Sequence, residues 1–245
     1  MVGEFHSTLS KLKMSLIGGL GAILIAGPAV ALDLNFTPDL KSAGWRMHVP
    51  RGKQAAEFLI ESTGSLTVQA DSQVAFLYTF VPDDPLPGHT LRWSWRVDKD
   101  FPGTNLSDQG SDDRPLAVHV YFADQDAGLL KKMGRGMAAM FGVPVSGQAI
   151  TYVWGGQRPV GTMIPNPFMD DGEGVLFIRQ SPGFTATGQW VDETVDLAAD
   201  YRAAFGGEPS AVSVIAVSAD TDDTGAQSQA QIRDLQLADS LIEPR

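Results

Sequence analysis

SDDRPLAVHVYF, residues 111–122, joins a polar segment to an apolar pattern that repeats every second residue. Successive side chains of a strand point to opposite faces of its sheet. His119 and Tyr121 are therefore predicted to share one face, with Arg114 at the start of the strand. The residues predicted to face the core are Val118, Val120 and Phe122. This strand carries more chemically reactive side chains than any other in the sequence.

Short apolar segments of strand length recur along the chain, separated by Gly, Pro, Ser and Asp. In LRWSWRV, residues 91–97, two tryptophans share a face with Leu and Val, while arginines occupy the other. We interpret the tryptophans as core, because arginines are hard to bury; the alternative is a platform for stacking sugars. About ten to twelve such strands predict an all-β fold, a two-sheet antiparallel β-sandwich of the jelly-roll type with one or two short helices.

Two segments have the periodicity of helices. DLAADYRAAFGG, residues 196–207, has Asp196 as a helix N-cap and Gly206 or Gly207 as its stop. A Met-rich segment at about 124–148 places apolar residues at helical spacings. It predicts a helical insertion that packs on the sheet edge or covers a binding face, and a satellite hydrophobic cluster is the simpler interpretation.

The first 31 residues have the pattern of an export signal. Lys11 and Lys13 precede an apolar run, and Ala29-Val30-Ala31 provides small residues at a cleavage site. An uncleaved anchor is the alternative, although the 18 residues from 14 to 31 lie near the lower limit for a membrane span and include four glycines and a proline. Residues 32–245 would then form a single domain, periplasmic or secreted, with no stable membrane insertion.

The composition excludes several classes of partner. The net charge is −11, and removal of residues 1–31 takes away Lys11, Lys13 and Glu4, which leaves 16 basic and 28 acidic side chains and a charge of −12. Such a charge argues against nucleic acid or an anionic membrane as partner. The absence of cysteine excludes disulfides, thiolate metal sites and cysteine nucleophiles. Divalent cations remain compatible with an acidic chain.

The run DTDDTG, residues 220–225, resembles the first half of a calcium-binding loop. Oxygen donors stand at its first, third and fifth positions and glycine at its sixth. The twelfth position is Gln231 instead of glutamate, so the loop is not an EF-hand. Asp112 and Asp113 would complete a cation site only if the fold brings them near, and a polar hairpin turn is the alternative. The candidate ligands of a structural Ca²⁺ are Asp220, Asp222 and Thr224.

The polar faces of two strands suggest a binding site for an anion. Arginines grouped in an otherwise acidic protein suit a carboxylate or sulfate ligand, because the guanidinium group binds both oxygens of such an anion. Salt bridges to Asp98, Asp100 or Asp113 would explain the same arginines equally well. The candidate ligand-binding residues are Arg92, Arg96, Arg114, His119 and Tyr121.

Four segments of the chain resemble one family of exported bacterial proteins, the uncharacterised family DUF3047. They are WSWRV, DDRPLAVHVYF, ITYVWG and DYRAAFGGEPSAVSVIAVSADTDDTG. The resemblance covers about residues 32–240 and departs from the family in the Met-rich segment after Phe122. It implies a jelly-roll sandwich similar to carbohydrate-binding modules, and it brings no established activity.

These observations predict a non-catalytic jelly-roll protein that binds a saccharide or another small anionic ligand, above all an anionic oligosaccharide. The first alternative is an enzyme. A polysaccharide lyase would use Arg114 to neutralise a uronate and His119 and Tyr121 as base and acid, whereas a glycoside hydrolase needs a carboxylate pair that the sequence does not show. The second alternative is a structural or assembly factor of the cell envelope. The oligomeric state is not predicted.

Overall fold

The computed structural model of the protein describes residues 31–82, 90–123 and 147–238. Thirteen strands and one helix lie in these ranges. The strands are β1 (Ala31–Asp33), β2 (Arg46–His48), β3 (Glu57–Ile60), β4 (Leu66–Asp71), β5 (Val74–Phe80), β6 (Thr90–Lys99), β7 (Arg114–Phe122), β8 (Ala149–Trp154), β9 (Met163–Pro165), β10 (Gly174–Gln180), β11 (Val191–Asp196), β12 (Val212–Asp220) and β13 (Gln227–Ala238). The helix α1 is Leu197–Phe205.

The strands form two sheets. Sheet A has the order β11-β6-β13-β4-β3, with β1 paired to β13, and sheet B has the order β2-β5-β12-β7-β8-β10-β9. Neighbouring strands are antiparallel, except that β10 runs parallel to β8. The predicted fold class is confirmed: the protein is an all-β, two-sheet sandwich of the jelly-roll type. The short strand β9 is the element that the sequence pattern did not predict.

The hydrophobic core lies between the two sheets and receives the alternate residues of both. Trp93 and Trp95 of β6 are buried there, so the core interpretation of the LRWSWRV strand is confirmed. Trp95 meets Trp154 of β8 edge-on at 5.6 Å between ring centroids, a favourable geometry for aromatic pairs. The inward residues of β7 are Leu116, Val118, Val120 and Phe122.

The helix begins and ends where the sequence predicted. The side chain of Asp196 accepts hydrogen bonds from the amides of Ala198 and Ala199, both at 3.0 Å, and so satisfies two free N–H groups of the first turn. Gly206 ends the helix with φ of 74°, a conformation that glycine adopts without steric cost.

Two other predictions fall largely or wholly outside the described residues: the export signal over 1–31 and most of the helical insertion at about 124–148. Ala31, at the predicted cleavage position, is described and pairs with Ala238 in sheet A. Within the described ranges, no helix has the length and apolar character needed to span a membrane.

Candidate functional site

The outer faces of the two sheets differ in exposure and chemistry. On sheet B, most side chains of β5, β7, β8 and β12 that point away from the core are themselves buried and mainly apolar. Leu106 and Met169 pack against this outer face. On sheet A, the outward side chains of β6, β11 and β13 are polar or charged, and most of them are half-buried or exposed. Of the two outer faces, sheet A therefore offers the more open surface for a ligand.

The predicted ligand-binding residues divide between these two faces. Arg92 and Arg96 lie on β6 and point outward from sheet A, whereas Arg114, His119 and Tyr121 lie on β7 in sheet B. The inward residues of β6 and β7 meet in the core between the sheets, so the outward residues of these two strands lie on opposite sides of the sandwich. The structure therefore does not bring the five residues together in one site.

His119 is buried between two hydroxyl groups. Its Nδ1 lies 3.0 Å from Thr151 Oγ1 and its Nε2 lies 2.8 Å from Ser218 Oγ. Burial holds the pKa of His119 well below its usual value, and the nearby charge of Arg114 acts in the same direction. The ring of Tyr121 stacks beside it at 6.2 Å and is buried too. This imidazole is a neutral part of the packed outer face of sheet B.

Arg114 is also buried, and its guanidinium group is held by acidic partners. Nη1 donates to the carbonyl oxygen of Asp112 at 2.9 Å and to Asp112 Oδ2 at 2.8 Å, and it lies 3.5 Å from Asp220 Oδ2. The salt-bridge alternative considered for the arginines therefore applies to Arg114, although its partners are Asp112 and Asp220.

The outer face of sheet A carries a continuous set of planar polar side chains. The register of β6 with β13 places Gln231 opposite Arg96, Arg233 opposite Ser94, and Gln236 opposite Arg92. We call this surface the glutamine–arginine face. Its residues are Arg92, Arg96, Trp190, Gln229, Gln231, Arg233 and Gln236.

A bulge in β13 makes this arrangement possible. The register shifts between Arg233 and Gln236, and Asp234 has φ of 54°, a left-handed conformation that is uncommon outside glycine. The extra residue lets both Arg233 and Gln236 face outward although they are three positions apart. Leu235 then returns to the core.

Trp190, just before β11, lies beside two guanidinium groups of this face. The ring centroid is 4.2 Å from Arg233 Cζ and 5.0 Å from Arg96 Cζ, distances at which a cation is attracted to an aromatic ring. Arg96 Nε also lies 3.1 Å from Asp98 Oδ1, and Arg92 Nη2 donates to Gln236 Oε1 at 2.8 Å. The salt-bridge alternative considered for the arginines therefore also applies to Arg96, with Asp98 as its partner.

Sequence reasoning missed Trp190 and Arg233. The signal for Arg233 was available, because Gln229, Gln231 and Arg233 alternate with the apolar residues of β13. Trp190 gives no such signal, since it lies outside the strand pattern and reaches Arg96 only through the pairing of β11 with β6.

A second group of charged residues gathers at one end of sheet B, around Asp113. Oδ2 of Asp113 accepts the Thr224 amide at 2.8 Å and also the Thr224 hydroxyl, while Oδ1 accepts the Asp223 amide at 3.2 Å. One oxygen from each of Asp113, Asp222 and Asp223 lies within 4.8 Å of the others. Lys53 Nζ contacts Asp222 and lies 3.7 Å from Asp223 Oδ1.

The segment before β7 fixes the position of Asp113 in this group. Thr104 Oγ1 donates to the carbonyl oxygen of Asp113 at 2.5 Å, and Thr104 in turn accepts the amide of Gln157 at 3.1 Å. Gly103 packs so closely here that a Cβ would lie 2.4 Å from the carbonyl oxygen of Gly156. Only glycine fits this approach between the two segments.

The predicted metal ligands are thus partly assembled. Asp220 and Asp222 line one cavity of about 280 Å³ beside the cluster, together with Asp223. The hydroxyl of Thr224 instead donates to Asp113. Burial raises the pKa of Asp220 well above its usual range, against the opposing charge of Arg114. The nearness of Asp112 and Asp113 to the loop, on which the sequence prediction depended, is present.

The family model described as protein of unknown function (DUF3047) matches residues 43–236. The chain belongs to this family. No curated protein matches the sequence.

Three solved structures illustrate what the DUF3047 chain is similar to. The xyloglucanase domain of NopAA from Sinorhizobium fredii, in complex with cellobiose, is 10% identical with a TM-score of 0.45, over 86% of this chain and 98% of that one. The family 11 carbohydrate-binding module of Clostridium thermocellum Lic26A-Cel5E is 9% identical with a TM-score of 0.43, over 86% and 95%. Endoglucanase 3 of Trichoderma harzianum is 10% identical with a TM-score of 0.38, over 87% and 98%.

Proposed function

We propose that this DUF3047 protein binds an acidic oligosaccharide, one that carries carboxylate or sulfate groups, and performs no catalysis on it. The binding surface is the glutamine–arginine face of sheet A. The observation that carries the proposal is the position of Trp190 beside the guanidinium groups of Arg96 and Arg233 on an accessible face.

The chemistry of the face suits both parts of such a ligand. A guanidinium group donates two parallel hydrogen bonds to a carboxylate or sulfate. A glutamine amide both donates and accepts, and a sugar hydroxyl group needs both. The indole ring of Trp190 adds an apolar surface with a polar edge. Gln229 and Gln231 continue the face along β13, so several sugar rings can be contacted in a row.

An anionic ligand can displace the carboxylates that now pair with Arg96 and Arg233. Arg233 Nε lies 3.4 Å from Asp234 Oδ2, and the Asp234 side chain is 71% exposed. Arg96 and Asp98 are both partly accessible to solvent. Exposed ion pairs of this kind contribute about 0–1 kcal/mol, so an anionic ligand competes with them at low cost. The acidic net charge of −11 makes such arginines stand out from the rest of the chain.

The lyase alternative receives no support from the geometry. Proton transfer requires a base within hydrogen-bond reach of the substrate. His119 and Tyr121 are 2% and 1% exposed, and both ring nitrogens of His119 already contact hydroxyl groups. Arg114 is committed to Asp112. No observation on the described residues favours the envelope-assembly alternative over binding, and export to the periplasm or medium remains part of the proposal on the pattern of residues 1–31.

Calorimetric titration of the purified protein with a galacturonate oligomer and a neutral glucose oligomer of equal length tests the proposal. We expect saturable binding of the acidic oligomer and weaker binding of the neutral one. Arg96→Ala and Arg233→Ala each remove a charge-assisted contact worth about 1.5–3 kcal/mol, a loss of about 10- to 100-fold in affinity.

Arg202→Ala is the matched control, because Arg202 pairs with Glu208 on the exposed side of α1, outside this face. It should leave the affinity unchanged. Binding that is absent, or that Arg202→Ala weakens as much as Arg96→Ala does, would overturn the proposal.

A further inference from the structure

The outer face of sheet A continues past the glutamine–arginine face onto β4 and the edge strand β3. The register places Gln69 of β4 opposite Gln229 of β13, and Glu57 of β3 opposite Gln69. Residues directly opposite each other on neighbouring strands project from the same face of a sheet. The three side chains therefore form a row across β13, β4 and β3. Because Gln229 already belongs to the glutamine–arginine face, the two surfaces are continuous.

This row lines a polar cavity of about 330 Å³. Hydrogen bonds between side chains order one of its walls: Gln227 Nε2 donates to Asp71 Oδ2 at 2.7 Å, and the ammonium group of Lys99 donates to Gln227. We call it the amide cavity. Its polar side chains include Glu57, Gln69, Asp71, Lys99, Gln227 and Gln229.

The row itself has polar groups to offer a ligand. Among the residues that the structure describes, the side chains of Glu57, Gln69 and Gln229 make no hydrogen bond to the rest of the protein. Glu57 is exposed, and the two glutamines are half-buried. A glutamine amide both donates and accepts, a carboxylate accepts, and a hydroxyl group does both. The amide cavity therefore matches a ligand that is rich in hydroxyl groups.

The amide cavity differs in charge from the part of the glutamine–arginine face that carries the arginines. It contains the carboxylates of Asp71 and Glu57 and the ammonium group of Lys99, and no guanidinium group lines it within the described part of the chain. A carboxylate of the ligand would meet like charges here, and like charges brought together at an interface weaken binding. The cavity is therefore suited to a neutral sugar ring and disfavours a uronate.

The arginines and the amide cavity are separated by more than one sugar ring. Gln227 and Arg233 lie on the same strand, and the step from position 227 to 233 corresponds to about 20 Å at about 3.3 Å per residue. Trp190 lies beside Arg233 at the far end of this distance. Only an extended chain of sugars contacts both places at once.

We infer that the ligand is a mixed oligosaccharide, with an acidic sugar at the arginines and neutral sugars in the amide cavity. The inference rests on the proposed function, since the arginines supply the acid-binding end, and it narrows the class of acidic saccharide. A chain in which every ring carries a carboxylate binds less tightly, because part of it must lie against Asp71 and Glu57. Repulsion of the wrong ligand contributes to specificity as much as attraction of the right one.

Calorimetric titration with three forms of one galacturonate hexamer tests this inference: all carboxylates free, part of them methyl-esterified, and all of them esterified. Esterification removes charge and keeps the sugar backbone. We expect the partly esterified hexamer to bind most tightly. Glu57→Gln should raise the affinity for the fully acidic hexamer by about two- to fivefold, because one repelling charge of an exposed site is removed, and should change binding of the partly esterified form little.

Gln69→Ala provides a second measurement, based on the length of the ligand. Loss of this amide should weaken binding of the partly esterified hexamer by about two- to tenfold. It should leave binding of a galacturonate dimer unchanged, because a dimer at the arginines is too short to reach the cavity. Glu208→Gln is the matched control for Glu57→Gln, since Glu208 is exposed and pairs with Arg202 outside this face. It should change none of these affinities.

Two results would overturn the inference and leave the proposed function standing. One is a fully acidic hexamer that binds the wild type at least as tightly as the partly esterified form. The other is a Gln69→Ala variant that binds the partly esterified hexamer like the wild type. By contrast, absence of binding by all three hexamers, or a fully esterified hexamer that binds as tightly as the partly esterified one, would contradict the proposed function and the inference with it.

Discussion

The carboxylate of Asp113 accepts the backbone amide of Thr224 at 2.8 Å across 111 positions of the chain. The hydroxyl of Thr224 donates to the same oxygen, and the amide of Asp223 donates to the other. Asp113 is fully buried. This one side chain therefore joins the start of β7 to the loop that follows β12.

Replacement of Asp113 should destabilise the protein strongly. Asp113→Ala leaves the two amides without their acceptor, and hydrogen bonds to a charged group contribute about 1.5–3 kcal/mol each. We expect a loss of about 3 kcal/mol in the free energy of unfolding, measured by urea denaturation in EDTA. Asp108→Ala, at an exposed position of the preceding segment, is the control and should change stability little. A loss below about 1 kcal/mol in Asp113→Ala would contradict this role.

His119 should make the protein less stable in acid. In the unfolded chain the imidazole takes up a proton at about pH 6.5, whereas burial keeps it neutral in the folded state by lowering its pKa. Below about pH 6.5 the unfolded chain therefore binds a proton that the folded protein does not bind. The free energy of unfolding then falls by up to about 1.4 kcal/mol for each pH unit of acidification. His119→Gln removes this contribution, since glutamine does not titrate.

The difference in unfolding free energy between the wild type and His119→Gln, measured from pH 7.5 to 5.0, isolates the effect, because the carboxylates contribute to both proteins alike. It should be constant above about pH 6.5 and shift in favour of the variant below it. Parallel curves over the whole range would show that folding does not lower the pKa of His119.

A buried link between the sheets should also be sensitive to substitution. Glu193 of β11 is 5% exposed, accepts two hydrogen bonds from Arg179 at 3.0 and 2.7 Å, and accepts a third from Gln180 at 2.8 Å. Glu193→Ala leaves Arg179, whose side chain is 27% exposed, without its carboxylate partner. Broken buried pairs cost about 3–5 kcal/mol, and because Arg179 is partly hydrated we expect a loss of about 2–3 kcal/mol.

Glu208→Ala gives the comparison, because the pair of Glu208 with Arg202 is exposed and such pairs contribute about 0–1 kcal/mol. Thermal and urea unfolding of the two variants should separate clearly. Equal effects would mean that the Arg179 contact contributes no more than a surface pair.

The sequence correctly predicted which side chains of a strand point inward. It did not predict which residues share a binding surface, because that depends on the order of the strands in the two sheets. The alternation in residues 91–97 and 116–122 correctly gave the core faces, and Asp196 correctly gave the start of α1. The same alternation could not assign Arg96 and His119 to different sheets, because that depends on β6 pairing with β11 and β13 while β7 pairs with β8 and β12.

The burial of His119 and the long-range contacts of Asp113 could not be predicted from the sequence either. His119 points away from the core, which suggests exposure, yet the outer face of sheet B is itself buried. Asp113 contacts the amide of Asp223 because β7 pairs with β12. This pairing places Arg114 opposite Asp220, next to the loop that contains Asp223. Local periodicity contains no information on a pairing between strands so far apart in the chain.

The central claim is that an acidic oligosaccharide binds the glutamine–arginine face, and the indole N–H signals of the protein test it most directly. The chain has five tryptophans, of which Trp190 alone is not buried in the structure. In a ¹⁵N-correlated NMR titration with a galacturonate oligomer, the signal of Trp190, assigned with Trp190→Phe, should shift progressively and saturate while the other four change little. A Trp190 signal that does not shift although the oligomer is bound would contradict this claim. So would the absence of any binding at millimolar oligomer concentration.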